Sequence, residues 1–272
     1  NPARQLKFRD LELDRPNGQP FDSLVKKHET GVAILAKNLS YSFQESSTST
    51  LNGLDFEIKA GEKICLTGAA GAGKSTLVHI LSTIFVDFGG FLAVNELPLA
   101  NVELGSFRKK IGLVTAGKDV FNGSLLENLT LGNPDISLAE VIDACKKTGL
   151  SGFLEKLPDG FDTHLTATGR NIPGSILAKI KVARALLKKP ALMIIEESFS
   201  GLAPADRVLL TDILTDKNSP WTLVAISSDA YFAQKCDRLL VLENGQISLN
   251  GTFEDLKTHT ELYGYFMESD LL

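Results

Sequence analysis

The sequence predicts an α/β fold, with a phosphate-binding core of buried strands and helices, an antiparallel β portion and an inserted helical lobe. Three observations lead there. Residues 68–76 read GAAGAGKST, a glycine-rich loop between the apolar, partly branched KICLT and the helix-length TLVHILSTIF. Two further apolar runs of strand length, ALMII and WTLVAIS, follow downstream. Between the loop and those runs, residues 137–157 carry helical patterning, which suits a lobe inserted between the two halves of the core.

The loop carries the clearest chemistry. Gly68, Gly73, Lys74 and Ser75 stand at the spacing of the Walker A pattern. Gly68, Ala69, Ala70, Gly71, Ala72 and Gly73 are small enough for the backbone to wrap a phosphate chain with its N–H groups inward. The helix that begins there favours anions at its N-terminus. Lys74 is then expected to reach the β- and γ-phosphates and the Ser75 hydroxyl to hold Mg²⁺, with Thr76 completing the motif. A bound nucleotide is the expectation.

Composition narrows the class. At 272 residues and 43% apolar, the chain is long enough for one large α/β domain with ample core. A net charge of −5 argues mildly against nucleic acid or an anionic membrane surface as the main partner. Cys65, Cys145 and Cys236 lack metal-ligand spacing and suit a reducing compartment, where the Asn-X-Ser/Thr triplets at Asn38, Asn122 and Asn128 carry no meaning. No stretch is long and apolar enough to span a bilayer. Because the chain opens on Asn1 rather than Met, a longer protein is expected, with any membrane-spanning part before residue 1.

In order along the chain, residues 1–30 read as a polar linker or incoming arm with Pro16, Asn17, Gly18 and Pro20 close together. VAILAKNLSYSF reads as a strand and QESSTST as an exposed loop. LNGLDFEIKAGEKICLTG gives an antiparallel strand, a turn at residues 59–61 and the strand feeding the phosphate loop. FGGFLAVNELPL is a short β piece, and IGLV at 111–114 a buried strand. A helix over residues 178–188 leads into ALMIIEE, an apolar strand ending in two carboxylates. LLVLENGQISLNG reads as a hairpin turned on Asn244 and Gly245, and a helix over 253–267 closes the chain. His79 reads as a packed residue of the helix after the loop, and His164 and His259 have no partners at metal-ligand spacing.

The order of these pieces resembles the nucleotide-binding domain of ABC transporters over nearly all of residues 32–267. FNGSLLENLTLGNP, LPDGFDTHLTATGRN and ARALLKKPALMIIEE are similar to the exporter subgroup in particular. The resemblance implies a P-loop NTPase core with an antiparallel β subdomain and an inserted helical subdomain at about 117–187. It also implies ATP and Mg²⁺ as ligands. Phe43, with Tyr41 as a neighbour able to substitute, takes the place of the aromatic that stacks on adenine. Glu196 stands where the family has the Asp of the Mg²⁺ shell, one methylene longer, and Glu197 matches the residue that polarises the attacking water. Two acids directly after a buried apolar run would repel each other without a cation nearby.

The departures are as informative. Ala116 stands in place of a Gln that touches Mg²⁺ and water, and Ser228 in place of a His that bridges the γ-phosphate and the catalytic Glu. The family's LSGGQ signature is replaced by Ile172, Pro173, Gly174, Ser175 and Ile176, and Ala203 replaces an Asp that links one site to the other. Pro173 offers neither hydroxyl nor N–H to a partner's γ-phosphate. Binding rests on the phosphate loop, whereas hydrolysis needs a positioned water and stabilised γ-phosphoryl charge. The expectation is therefore an ATP-binding, slowly hydrolysing domain that powers or gates an exporter. The alternative is a non-hydrolytic, ATP-dependent regulatory or dimerisation module. Implied partners are a transmembrane domain, N-terminal in the same chain, and a second nucleotide-binding domain in a homo- or heterodimer, with no nucleic acid. The implied place is the cytoplasmic face of a membrane.

Overall fold

The computed structural model describes residues 18–21, 30–43, 49–117, 120–166, 172–196, 199, 201–259 and 263–264. In chain order the strands and helices are β1 (Ile34–Tyr41), β2 (Leu51–Ile58), β3 (Lys63–Gly68), α1 (Lys74–Leu81), β4 (Gly89–Val94), β5 (Leu97–Pro98), α2 (Leu104–Lys109) and β6 (Ile111–Val114). There follow β7 (Gly123–Ser124), α3 (Leu125–Thr130), α4 (Leu138–Lys147), α5 (Ser151–Leu154), β8 (His164–Leu165), α6 (Gly174–Leu187) and β9 (Leu192–Ile195). The last are α7 (Pro204–Thr215), β10 (Thr222–Ile226), α8 (Ala230–Lys235), β11 (Arg238–Glu243), β12 (Gln246–Gly251) and α9 (Phe253–Lys257).

The strands form two main sheets. β2, β1, β4 and β5 make an antiparallel sheet in that order, and β12, β11, β3, β10, β9 and β6 make the core sheet. In the core sheet β11, β3, β10, β9 and β6 run parallel, and only β12 is antiparallel. Their continuous apolar sequences fit a sheet covered on both faces: β9 is buried throughout, as is β3 up to Gly68. Along β12, exposed and half-buried residues alternate from Gln246 to Gly251, which marks it as an edge. Its turn with β11 has φ of 48° at Asn244 and 75° at Gly245, the backbone a two-residue hairpin demands.

Three hydrophobic clusters support these layers. The first joins the antiparallel sheet to α1 and one face of the core sheet, through Ile34, Leu54, Leu77, Ile80 and Ile194. The second lies on the opposite face, where Val182, Ile195, Leu210, Leu223 and Phe232 meet. The third belongs to the helices between 120 and 187 and packs Leu125, Leu129, Val141, Ile180 and Ala183. Helix α6 takes part in two of them. Ala178, Val182 and Ala185 face the sheet, while Ile180, Ala183 and Leu187 face the helical lobe. An apolar surface nearly all round is what a helix needs when it is covered on two sides.

Two parts of the chain differ from the sequence reading. Within the stretch read as a linker, residues 18–21 dock on the core: Phe21 is fully buried, 4.8 Å from the Phe107 ring, and its N–H donates to Ser106 Oγ. Gln19 adds a bridge to Val102. At the other end, α9 stops at Lys257; of the helix expected to run on to 267, residues 263 and 264 are again helical, and 260–262 and 265–267 lie outside the described residues. The Thr258 hydroxyl donates to the Asp255 carbonyl, a local bond that competes with a further helical turn.

Candidate functional site

The parallel register brings the predicted residues to one edge. Ile226 pairs with Leu66, Ala225 with Ile195 and Val114 with Ile195, so β3, β10, β9 and β6 end side by side. The segments leaving those ends carry the phosphate loop, Ser228, Glu196 and Ala116 respectively. The carboxyl edge of a parallel α/β sheet is where such folds bind ligands.

The loop itself has the backbone that its sequence requires. Gly68 has φ of 132°, and a Cβ there would lie 2.0 Å from the Leu242 carbonyl oxygen on the adjacent β11. Gly73 caps α1 in the left-handed region at φ 102°, where a Cβ would meet Leu51 at 2.6 Å. Side chains are excluded at both positions, by contact and by conformation. Lys74 bends back over the loop, donating from Nζ to the carbonyls of Gly68 and Ala69, each at 2.7 Å. Partial burial lowers its pKa from the usual lysine value. Its charge is therefore partly desolvated and met by neutral dipoles, a setting in which an incoming anion is favoured. Ser75 is exposed at the start of α1 and Thr76 is buried beneath it. A loop of this shape, an exposed hydroxyl and a carboxylate at the end of β9, two strands away at the same sheet edge, together fit a polyphosphate with a hard divalent cation.

Glu196 follows β9, its N–H donating to the Val114 carbonyl at 2.7 Å. Its side chain is 15% exposed, and Oε1 lies 3.1 Å from His79 Nε2. The sequence reading has His79 packed; it is packed, edge-on against Phe85 at 5.1 Å, but it also touches this carboxylate. The signal was its place four residues after Ser75, hence on the same face of α1. Phe85 in turn stacks on Tyr41, 5.0 Å away and 6° from parallel. Phe43 stands edge-on to both rings, 5.1 Å from Tyr41 and 5.9 Å from Phe85, and is 40% exposed. Tyr41 has one face covered, and Phe43 is the more open of the two. Glu197 lies outside the described residues.

Ala116 is exposed, and the backbone on either side of it is held by a residue that the sequence reading missed. Lys181, buried within α6, donates from Nζ to the carbonyls of Thr115 at 2.8 Å and Gly117 at 3.0 Å. Residues 172–176 open α6, with Pro173 at its N-cap, no side-chain cap, and exposed Pro173 and Gly174. Among the described residues, no hydrogen bond or ring contact joins this segment to residues 68–76. Ala203 is the exposed, equally uncapped N-cap of α7. Three ion pairs link α7 to its surroundings: Asp206 with Lys179 of α6 at 2.6 Å, Arg207 with Asp229, next to Ser228, at 3.2 Å, and Asp212 with Lys235 of α8 at 3.0 Å.

Comparison with known proteins adds to this geometry. The family model described as ABC transporter matches residues 51–200. The Bacillus subtilis (strain 168) protein named uncharacterized ABC transporter ATP-binding protein YfiB is 30% identical over 233 residues, covering 86% of this chain and 40% of that protein. The ATP-dependent lipid A-core flippase of Chromobacterium violaceum is 28% identical over 251 residues, 92% of this chain and 43% of its own. A solved bacterial Atm1-family ABC exporter with ATP bound superposes with a TM-score of 0.84 at 24% identity, over 97% of this chain and 46% of that one. The chain thus spans about two fifths of the length of these curated relatives. With the family match extending over more than half of its residues, the chain belongs to the ABC transporter family.

Proposed function

We propose that this domain binds ATP with Mg²⁺ and hydrolyses it slowly, in the service of a membrane exporter. The phosphate loop carries the reading: Gly68 and Gly73 hold a backbone closed to side chains, and Lys74 leans over it as a partly desolvated cation. Lys74 exchanges two carbonyl contacts for the β- and γ-phosphates, and the α1 N-terminus adds its N–H donors. Phe43, the more exposed aromatic, offers its face to the adenine. Ser75 and Glu196 hold Mg²⁺, which when bound neutralises charge developing on the phosphate oxygens.

Turnover depends on other positions. Glu197 is assigned to orient the attacking water. Ala116 and Ser228, at the same strand edge, have no side chain long enough to contact both that water and a γ-phosphate. Each missing preorganised donor costs about a hundredfold or more in rate, without simple additivity. Slow hydrolysis follows while binding survives. The transmembrane domain, the second nucleotide-binding domain and the cytoplasmic placement belong to this proposal. So does the role of residues 1–30 as the arm from a preceding membrane domain. Among the described residues, no helix is long and apolar enough to cross a membrane.

Titration calorimetry of the 272-residue chain with Mg²⁺-ATP tests the reading. Lys74→Ala is expected to weaken binding by at least tenfold while the protein remains folded by circular dichroism; unchanged affinity in a folded variant overturns it. Steady-state phosphate release on the same sample separates slow turnover from the purely regulatory alternative, in which release is nil.

A further inference from the structure

We propose that His79 is a positioning residue for the metal-site carboxylate, holding Glu196 by one oxygen so that the other is presented beside Ser75. The inference deepens the reading of Glu196 as a Mg²⁺ group and rests on it. Glu196 carries one methylene more than aspartate and hence one more rotatable bond, so a carboxylate at this strand end needs restraint to keep a single direction. The structure supplies that restraint on one side. His79 Nε2 lies 3.1 Å from Oε1, and among the described residues Glu196 makes no other side-chain hydrogen bond or ion pair. A ring nitrogen at this distance from a carboxylate oxygen carries the hydrogen and donates it.

His79 is itself held in place. Its ring meets Phe85 edge-on at 5.1 Å and 83°, and Phe85 is stacked on Tyr41. The imidazole belongs to an aromatic cluster rather than to an open surface. Its backbone is four residues beyond Ser75 on α1, so the hydroxyl and the ring project from one face of one helix. Glu196 reaches across to that face from β9. A longer carboxylate and a histidine one turn beyond the hydroxyl therefore act as a matched pair. Hydrogen bonds behind a metal ligand commonly change metal affinity by about tenfold to a hundredfold when removed.

The test is the ratio of ATP affinities of the 272-residue chain in Mg²⁺ and in EDTA, by calorimetry. His79→Phe keeps a ring against Phe85 but has no donor. It is expected to lower that ratio by about tenfold and to leave the affinity in EDTA unchanged. His79→Gln, which keeps a donor, is expected to retain most of the ratio, and serves as the main comparison with His79→Leu if the Phe variant does not fold. In a Glu196→Asp background the shorter arm no longer spans to residue 79, so His79→Phe is expected to have little further effect. An unchanged ratio in His79→Phe overturns the proposal, as does an equal loss with and without Mg²⁺, which marks a packing role alone. An undiminished effect in the Glu196→Asp background also overturns it. Failure of the underlying reading looks different: the wild-type chain then binds no ATP, or binds it with no dependence on Mg²⁺, and the proposal falls with it.

Discussion

Single residues decide how the strand edge is furnished, and Lys181 shows how far substitutions there are linked. Its ammonium is buried in α6 and straddles Ala116 by holding the carbonyls on both sides. The segment after β6 is thereby tied to the helix that begins at residues 173–174, whatever Ala116 itself contributes. Lys181→Met keeps the length and apolar stem but removes the ammonium that donates to both carbonyls. A loss of about 1–3 kcal/mol is expected, read as a lower urea midpoint with faster amide exchange at residues 115–117. A midpoint and exchange pattern equal to wild type would show that the tie is not needed. Lys181 was not legible in the sequence, because a lysine in a helix reads as a solvated residue until the helix is seen to be covered on two sides. The phosphate loop was legible, because its glycines answer to a local backbone rather than to tertiary context. His79 lay between these cases, with its spacing from Ser75 visible but its partner on a distant strand.

Among the elements, the helix starts fall into two kinds. Ser124, Ser137, Asp229 and Thr252 cap α3, α4, α8 and α9 with side-chain oxygens. α1, α2, α5, α6 and α7 begin with no side-chain cap, and among them α1, α6 and α7, at Gly73, Pro173 and Ala203, carry family motif positions at their starts. An uncapped start leaves backbone N–H groups for a ligand or for water. Ala203 has the extended backbone of an N-cap, is exposed and is followed by Pro204 at the first turn, so a side chain alone is missing. Ala203→Asp is expected to stabilise the domain by about 1 kcal/mol, a rise in Tm of about 2–4 °C, in a thermal melt. No rise would mean that the start of α7 is already satisfied. The long apolar strands were legible from their runs, and the hairpin from Asn244 and Gly245. The two-residue strands β7 and β8 and the short α3 carry too little periodicity to be found that way, although the Ser124–Glu127 capping box marks where α3 begins. The last helix is interrupted at Thr258 and His259, and apart from residues 263 and 264 the rest of the stretch read to 267 lies outside the described residues.

For the whole molecule, two of the three ion pairs on α7 matter most. Lys179–Asp206 joins it to the helix headed by Pro173, and Arg207–Asp229 joins it to the segment carrying Ser228. The helical lobe and the nucleotide edge are thus fastened through one helix, and the lobe presents residues 172–176 as its outward helix start. In the two-domain arrangement that the family resemblance implies, that start grips the γ-phosphate bound to a second domain. Here it opens on Pro173, which brings no hydroxyl and no N–H, and continues to the apolar Ile176. Each lost charge-assisted hydrogen bond removes about 1.5–3 kcal/mol from such a grip, and a homodimer would lose it twice. The 272-residue chain is therefore expected to stay monomeric at micromolar concentration with or without Mg²⁺-ATP in sedimentation velocity. Stable pairing is then left to attached membrane segments or to a partner chain with a better-equipped helix start. An ATP-driven shift to a dimer would show that the backbone N–H groups from Gly174 onward suffice as a clamp, and the assignment of this segment as a weakened one would fall.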